Sequence, residues 1–350
     1  MGLWNWPWRR GPSGGFSKSS TAEEVTEGID ASHLTAIVTG ATNGIGKEAA
    51  RVLALRGAKV IIPSRTLESG MKVKESLLKE NPHSKLQIVE MDLSSFDSVQ
   101  KFAQSFSASN KHLNILINNA GIMACPFQLS TDGIELQFAT NHLGHFLLTN
   151  LLLDKLKATA KETGIQGRIV NVSSTAHKRS NGSFFNLDEM NDKSRYFIDF
   201  LLDDYFSNSY NSTTTTWIFL LGYRYKPFGA YAHSKLANIL HANELSRLLQ
   251  EEGSNVTANS LHPGLIFSNI GRYLNIDSNV AIGLLATLAK PFVKSIPQGA
   301  ATTCYLALHP KVKDVTGKYY VDCNDAIPSA KARDEALGTK LWEYSQGLTL

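Results

Sequence analysis

Thr39-Gly40-Ala41-Thr42-Asn43-Gly44-Ile45-Gly46 lies between an apolar run, Leu34–Thr39, and an amphipathic stretch, Gly44–Arg56, that stops at Gly57. The run reads as a buried strand. The stretch after it reads as a helix, and Gly57 is a fitting C-cap. Glycines between the two let the backbone turn tightly and approach a pyrophosphate that rests on the helix N-terminus. Gly40, Asn43, Gly44, Ile45 and Gly46 are therefore the first candidates to touch a dinucleotide. The spacing is G-x-x-x-G-x-G rather than the commoner G-x-G-x-x-G. A glycine-rich turn is weak evidence alone, and its place between strand and helix strengthens it.

Reading outward, Ala58–Pro63 is a second strand. Thr66–Glu80 is a charged amphipathic helix stopped by Asn81-Pro82. Leu86–Met91, Leu113–Asn118, Arg168–Val172, Val256–Leu261 and Lys318–Val321 continue the strands, with helical patterns at 95–109, 131–160, 228–252 and 297–308. Near-continuous apolar strands alternating with helices mean a parallel sheet covered on both faces. The expectation is one doubly wound α/β domain with a sheet of about seven strands. The residue ending the second strand should read the adenosine ribose: an acid favours NAD, a base favours NADP. Ser64-Arg65 stands there, with Arg65 19 residues beyond Gly46 and no acid. Arg65 thus points to NADP(H), the bland alternative being a solvated surface side chain.

Composition agrees with an ordinary globular chain of 350 residues, 43% hydrophobic and 19% charged. A net charge of +4 does not signal a nucleic-acid groove. Three cysteines (Cys125, Cys304, Cys323) without a CxxC argue against a disulfide scaffold and a zinc site. No run of 18 apolar residues marks a transmembrane helix, and neither a secretory signal nor a typical transit peptide is legible at the start. Trp4, Trp6 and Trp8 could seat in a membrane interface or pack on the protein's own surface.

Tyr231-Ala232-His233-Ser234-Lys235 puts Tyr and Lys on one face of a helix. A free phenol titrates near 10. A nearby ammonium favours the phenolate and makes Tyr231 a proton donor and acceptor nearer neutrality. The pair alone is common and mostly structural; beside the glycine loop it is not.

In these residues the chain resembles the short-chain dehydrogenase/reductase family over about residues 33–325, and the resemblance implies a Rossmann fold. The motifs run in order: Thr39–Gly46, Asp92-Leu93, Asn118-Asn119-Ala120-Gly121, Asn141, Asn171-Val172-Ser173-Ser174, Tyr231 with Lys235, and Pro263-Gly264. Phe138–Phe146 resembles retinol-dehydrogenase-like and WW-domain-oxidoreductase-like members. Thr21–Val25, Gly121–Pro126 and Gln298–Cys304 look closest to plant members associated with the chloroplast inner-envelope translocon.

The resemblance implies roles. Tyr231 is the general acid/base, and Lys235 lowers its pKa and holds the nicotinamide ribose. Ser174 hydrogen-bonds the substrate carbonyl, and Asn141 supports a water that relays protons to Lys235. Asp92 and Leu93 flank the adenine, and Asn119 and Thr140 contact adenosine and ribose. Ala120, Gly121 and Pro263 belong to the same cofactor motifs, and Ser268 stands where a Thr usually contacts the nicotinamide amide. Asp92 could instead be a helix N-terminal acid, and Ser174 a turn serine. His142, His145 and His233 read as structural histidines, and no metal is expected. Residues 265–296, largely apolar, are expected to close over an apolar carbonyl or alcohol.

One segment does not belong. Ser174 and Tyr231 are 57 residues apart. Between them Tyr196–Arg224 shifts in composition and is flanked by repeated Arg-Tyr pairs, Arg195-Tyr196 and Arg224-Tyr225. Removing it leaves Lys-Ser-Arg-Tyr-Lys-Pro-Phe-Gly-Ala-Tyr, a seamless join. Residues 196–224 therefore read as a retained intron, the alternative being a lineage-specific surface loop. The 350-residue form is expected to be less soluble or less active than the version lacking the segment.

The domain plan is an N-terminal extension, 1–30, partly disordered, and a single domain, 31–350. The expected function is NADP(H)-dependent hydride transfer between nicotinamide and an apolar carbonyl or alcohol, that is, an enzyme acting on CH–OH donors. The alternative is an NADP(H)-sensing regulatory subunit of chloroplast protein import. The resemblance implies a chloroplast location, peripheral at the inner envelope, with a cytoplasmic one as the alternative. It also implies peripheral membrane or translocon association, and a homodimer through the helices at 131–160 and 228–252.

Overall fold

Successive residues of a strand point to opposite faces of its sheet. Ala36 and Val38 enter one core and Ile37 the other, so the first strand is apolar from Ala36 to Val38. Ile115 and Ile117 against Leu116 repeat the pattern. The computed structural model describes residues 15–182, 191, 227–266 and 293–350. The strands are β1 (Thr35–Val38), β2 (Lys59–Ser64), β3 (Lys85–Glu90), β4 (Ile115–Asn118), β5 (Gly167–Val172), β6 (Val256–His262), β7 (Tyr319–Val321) and β8 (Asn324–Ala326). They lie in the order β3-β2-β1-β4-β5-β6-β7-β8. The first seven are parallel, and β8 folds back antiparallel on β7. The count exceeds the expected seven by this edge strand, whose Asn-Asp-Ala sequence has no apolar signal. Its reversal is made by Asp322 and Cys323 at φ 53° and 61°, left-handed values that suit a tight hairpin.

The described helices are α1 (Gly44–Leu55), α2 (Leu67–Glu80), α3 (Phe96–Ser109), α4 (Gly144–Thr163), α5 (Pro227–Glu251), α6 (Ile296–Leu308) and α7 (Glu335–Thr349). α1, α2 and α6 cover one face of the sheet, and α3, α4 and α5 the other. The single pattern expected at 131–160 is broken. A short turn, Leu136–Phe138, and a π-helical turn, Ala139–Leu143, precede α4. π-turns widen a helix by one residue and are frequent at functional sites.

α7 has no counterpart in the sequence reading. Its fully buried positions include Gly338, Ser345 and Thr349 beside Leu341, so it carries little apolar stripe. Trp342 secures it, 4.9 Å from the Phe146 ring on α4 and 5.8 Å from His241 on α5. From residue 15 the N-terminal extension is packed on the domain. Ala22 and Val25 are buried, Phe16 stacks edge-on against Tyr305 and His309, and Arg56 donates to the Glu23 carbonyl at 2.7 Å. Trp4, Trp6, Trp8, segment 196–224, Ser268 and most of 265–296 lie outside the described residues.

β1 leads to β2 on one side and to β4 on the other. The sheet order therefore reverses at the carboxyl ends of β1 and β4, where ligands of open α/β sheets bind.

Candidate active site

The turn after β1 is built around one hydroxyl. Thr39 Oγ1 accepts the backbone N–H groups of Asn119 and Ala120, at 2.9 and 3.0 Å, and meets His145 Nε2 at 2.8 Å. His145 Nδ1 lies 3.0 Å from the Asn141 carbonyl, which only accepts, so Nδ1 carries the proton and Nε2 accepts from Thr39. Burial pushes the His145 pKa down to about 4, which keeps the ring neutral as these partners require. His145 is structural, as expected, and ties the glycine turn to the π-turn bearing Asn141.

Two glycines leave no alternative. A Cβ on Gly46 would stand 2.3 Å from Asn119 Nδ2 and 2.5 Å from the Gly40 oxygen. Gly40 sits at φ 66° with a would-be Cβ 2.7 Å from Ala120 Cα. Asn43, the N-cap of α1, makes no side-chain capping bond, whereas Thr66, Ser95, Ser295 and Asp334 cap α2, α3, α6 and α7. The first N–H groups of α1 thus face the turn without a side-chain acceptor, which is what an anionic pyrophosphate needs.

Above the turn lies a cavity of about 720 Å³. It is bordered by Gly40, Asn43, Gly44, Ile45, Gly46, Arg65, Asp92, Leu93, Asn119, Ala120, Gly121, Thr140, Ser174, Tyr231, Lys235 and Pro263. Arg65 is exposed on its rim. Asp92 Oδ1 accepts both the N–H and the hydroxyl of Ser94, at 2.9 and 2.7 Å, so the local turn role weighed for it is realised while it borders the cavity.

Asn141 stands behind the wall, fully buried. Its Oδ1 accepts the Ile122 N–H and its Nδ2 donates to the Ile122 carbonyl, both at 2.9 Å, and to Ser234 Oγ at 2.9 Å.

Tyr231 and Lys235 sit in the first part of α5, 5% and 2% exposed. The Lys235 ammonium donates to the Val172 carbonyl at 3.0 Å and lies 5.6 Å from the Tyr231 ring centre. Burial pushes it down to about 8. Burial pushes the Tyr231 phenol up to about 12, and its hydrogen bond to Ser174 pulls the other way. In this geometry burial dominates the phenol, and Ser174 is the group that eases its ionisation. Ser174 Oγ also accepts the Ala176 N–H at 3.2 Å as the cap of a 3-10 turn, Thr175–Arg179. Phe228 and Leu265 are exposed apolar side chains, and the Phe228 ring is 6.1 Å from that of Tyr231.

Several supports were invisible in the sequence. Ser173 Oγ donates to the Lys235 carbonyl at 2.6 Å, and Asn238 Nδ2 to the Val172 carbonyl at 3.1 Å. Gln137 Nε2 donates to the Pro227 carbonyl at 2.9 Å and holds the start of α5. Across the region outside the described residues, Asn191 bonds the Glu135 N–H and the Gly133 carbonyl. No spacing rule signals such long-range contacts; only the polarity of buried helix positions hints at them.

Comparison with known proteins places this geometry. Residues 34–185 match the family model described as short chain dehydrogenase. The chain is 52% identical over 331 residues to the short-chain dehydrogenase TIC 32 A, chloroplastic, of Brassica napus, spanning 95% of this chain and 93% of that one. It is 38% identical to retinol dehydrogenase 12 of Mus musculus, over 88% and 84% of the two chains. A solved structure of an uncharacterised protein from Mycobacterium paratuberculosis superposes with a TM-score of 0.64 at 30% identity, covering 93% of this chain and 96% of that one.

Proposed function

The chain belongs to the short-chain dehydrogenase family, and on that premise we propose an NADP(H)-dependent oxidoreductase that interconverts an apolar carbonyl and its alcohol. The observation that carries the reading is that Ser174, Tyr231 and Lys235 border the same cavity as the glycine turn. The family uses a nicotinamide cofactor, which would supply or accept the hydride. The Gly40 and Gly46 surfaces, closed to any Cβ, fit its pyrophosphate. Arg65 and the lack of an acid at the end of β2 favour the phosphorylated form.

Burial pushes the Tyr231 phenol up to about 12, so near neutrality it is the uncharged acid with a proton to donate when an alkoxide develops beside it. Ser174 donates a hydrogen bond to the same oxygen and orients the carbonyl. Lys235, a buried cation below about pH 8, would stabilise the phenolate left behind and hold the nicotinamide ribose. Asn141 braces the Ile122 backbone behind the cavity wall and would support the proton relay to Lys235. Ile266 borders the cavity, and the exposed Phe228 ring 6.1 Å from that of Tyr231 adds apolar surface next to it. The chloroplast location, peripheral at the inner envelope, is proposed from the 52% identical Brassica relative. No described helix is long and apolar enough to cross a membrane.

The test is NADPH consumption with apolar aldehydes, ketones and quinones, in the full chain and in Tyr231→Phe. Turnover that vanishes in the variant is expected. NADPH binding without turnover on any carbonyl would replace this reading with the cofactor-sensing role in chloroplast protein import.

A further inference from the structure

His177 is fully buried, although Lys178 and Arg179 next to it are exposed. It makes two bonds to one acceptor. Its backbone N–H reaches the Ser174 carbonyl at 3.1 Å, and its Nδ1 reaches the same oxygen at 2.6 Å. Both lone pairs of that carbonyl are therefore taken by a single residue. On the far side of the ring, Nε2 accepts the Ser329 N–H at 3.1 Å. A carbonyl partner demands a proton on Nδ1, and an N–H partner demands a bare Nε2. The neutral Nδ1–H tautomer is thus assigned by its partners. Tyr319 of β7 closes the ring edge-on at 5.2 Å.

We infer that His177 is a positioning residue for Ser174, bracing the turn that this serine caps so that its hydroxyl keeps its place on the cavity wall, and joining it to the segment between β8 and α7. The role rests on the proposed carbonyl chemistry, since Ser174 matters only if it orients a substrate oxygen. Ser174 has an extended backbone, φ −157° and ψ 156°, outside the 3-10 turn that it caps. The Ser174 side chain is tied to that turn through the Ala176 N–H at 3.2 Å, so the orientation of the turn sets where Oγ points. The ring bond from Nδ1 to the Ser174 carbonyl adds to the turn's own N–H bond and holds the turn in place. Ser329 in turn fixes the ring, so the brace has a rigid anchor outside the site.

The experiment compares the full chain with His177→Asn, His177→Gln and His177→Phe. The probes are nonanal and all-trans-retinal with NADPH. Asn can place an amide N–H near the Nδ1 position and keep the bond to Ser174. Gln reaches toward Ser329 instead, and Phe fills the space with neither bond. A displacement of about 1 Å at the reacting atoms costs on the order of a hundredfold in rate. The expected result is a fall in kcat of roughly ten- to a hundredfold in H177Q and H177F. NADPH Kd should be unchanged in both, and H177N should recover most of the loss. Wild-type kcat in H177Q and H177F would overturn the inference and leave the reductase reading intact. An equal loss in all three variants, matched by weaker NADPH binding, would reduce His177 to a packing residue. A wild-type chain that binds NADPH and turns over neither these probes nor any other aldehyde, ketone or quinone of the panel would overturn the reductase reading, and the positioning role with it.

Discussion

The two halves of the sheet hold their ligands' surroundings by different means. On the β1–β4 side, the nucleotide surface is shaped by what is missing. Gly40 and Gly46 pack backbone against backbone, and one threonine hydroxyl joins β1 to the turn after β4. On the β5–β8 side, α5 is fastened to β5 by buried side chains bonded to backbone carbonyls: Ser173 to Lys235, Lys235 and Asn238 to Val172, Asn171 to Asn238. The first arrangement tolerates no added atom. The second tolerates change of shape but not loss of a donor, because a carbonyl left buried without its partner costs about 1–3 kcal/mol.

The largest effect should come from the second half. Tyr231→Phe is expected to lower kcat by about 10²–10⁴-fold with NADPH Kd retained, measured by steady-state kinetics and cofactor titration. The first half should fail differently. In Gly46→Ala the new Cβ meets Asn119 and the Gly40 carbonyl, and overpacking costs about 1–3 kcal/mol. NADPH binding should weaken by roughly tenfold or more, and a Tm change should accompany it. An effect on kcat alone would break the division between the halves.

Arg65→Ala should reduce the preference for NADPH over NADH by about tenfold or more, since bonds to charged groups are worth about 1.5–3 kcal/mol. Parallel titrations with the two cofactors decide it. A pH profile sharpens the catalytic half. Lys235 is depressed from 10.5 to about 8, so its charge is present below that pH and disappears as pH rises through it. Activity should fall above about pH 8 while Tyr231 stays protonated. The sign for stability is opposite. Between about 8 and 10.5 the unfolded chain holds the extra proton, so this group adds stability as pH rises.

The smallest catalytic effect is expected from removing 196–224. Gln137 holds the Pro227 carbonyl, and Asn191 is bonded to Gly133 and Glu135, so the chain on both sides is anchored to one short stretch. The shortened form should gain soluble yield, because apolar runs such as Phe197–Leu202 and Trp217–Leu221 are removed from the chain, with kcat unchanged. Transcripts that all encode the segment would end the intron reading.

The nucleotide half was legible because its constraints are local. A strand, a glycine turn and a helix N-terminus are consecutive in the chain, and each glycine marks a steric need. β1 to β7 appeared within a residue or two of their expected ends. β8 and α7 did not, because an Asn-Asp-Ala edge and a helix that buries Gly338, Ser345 and Thr349 carry no apolar period. Of the site, Tyr231, Lys235, Ser174 and the residues from Gly40 to Pro263 were named from sequence and border one cavity. Asn141 was also named and sits behind the wall instead.

Spacing along the chain was enough for the succession of strands and helices, the glycine turn, Arg65 and the Tyr231–Lys235 pair, because it sets which residues share a turn or a helix face; the other candidate site residues came from the family resemblance. Only the tertiary structure decided how those side chains behave. Burial, not the neighbouring ammonium, dominates the Tyr231 phenol. His145 and His177 are neutral because each ring meets a nearby carbonyl acceptor and a donor brought from a distant segment. Desolvation and hydrogen-bond direction depend on what the folded chain brings together in space, and spacing in the sequence does not encode either.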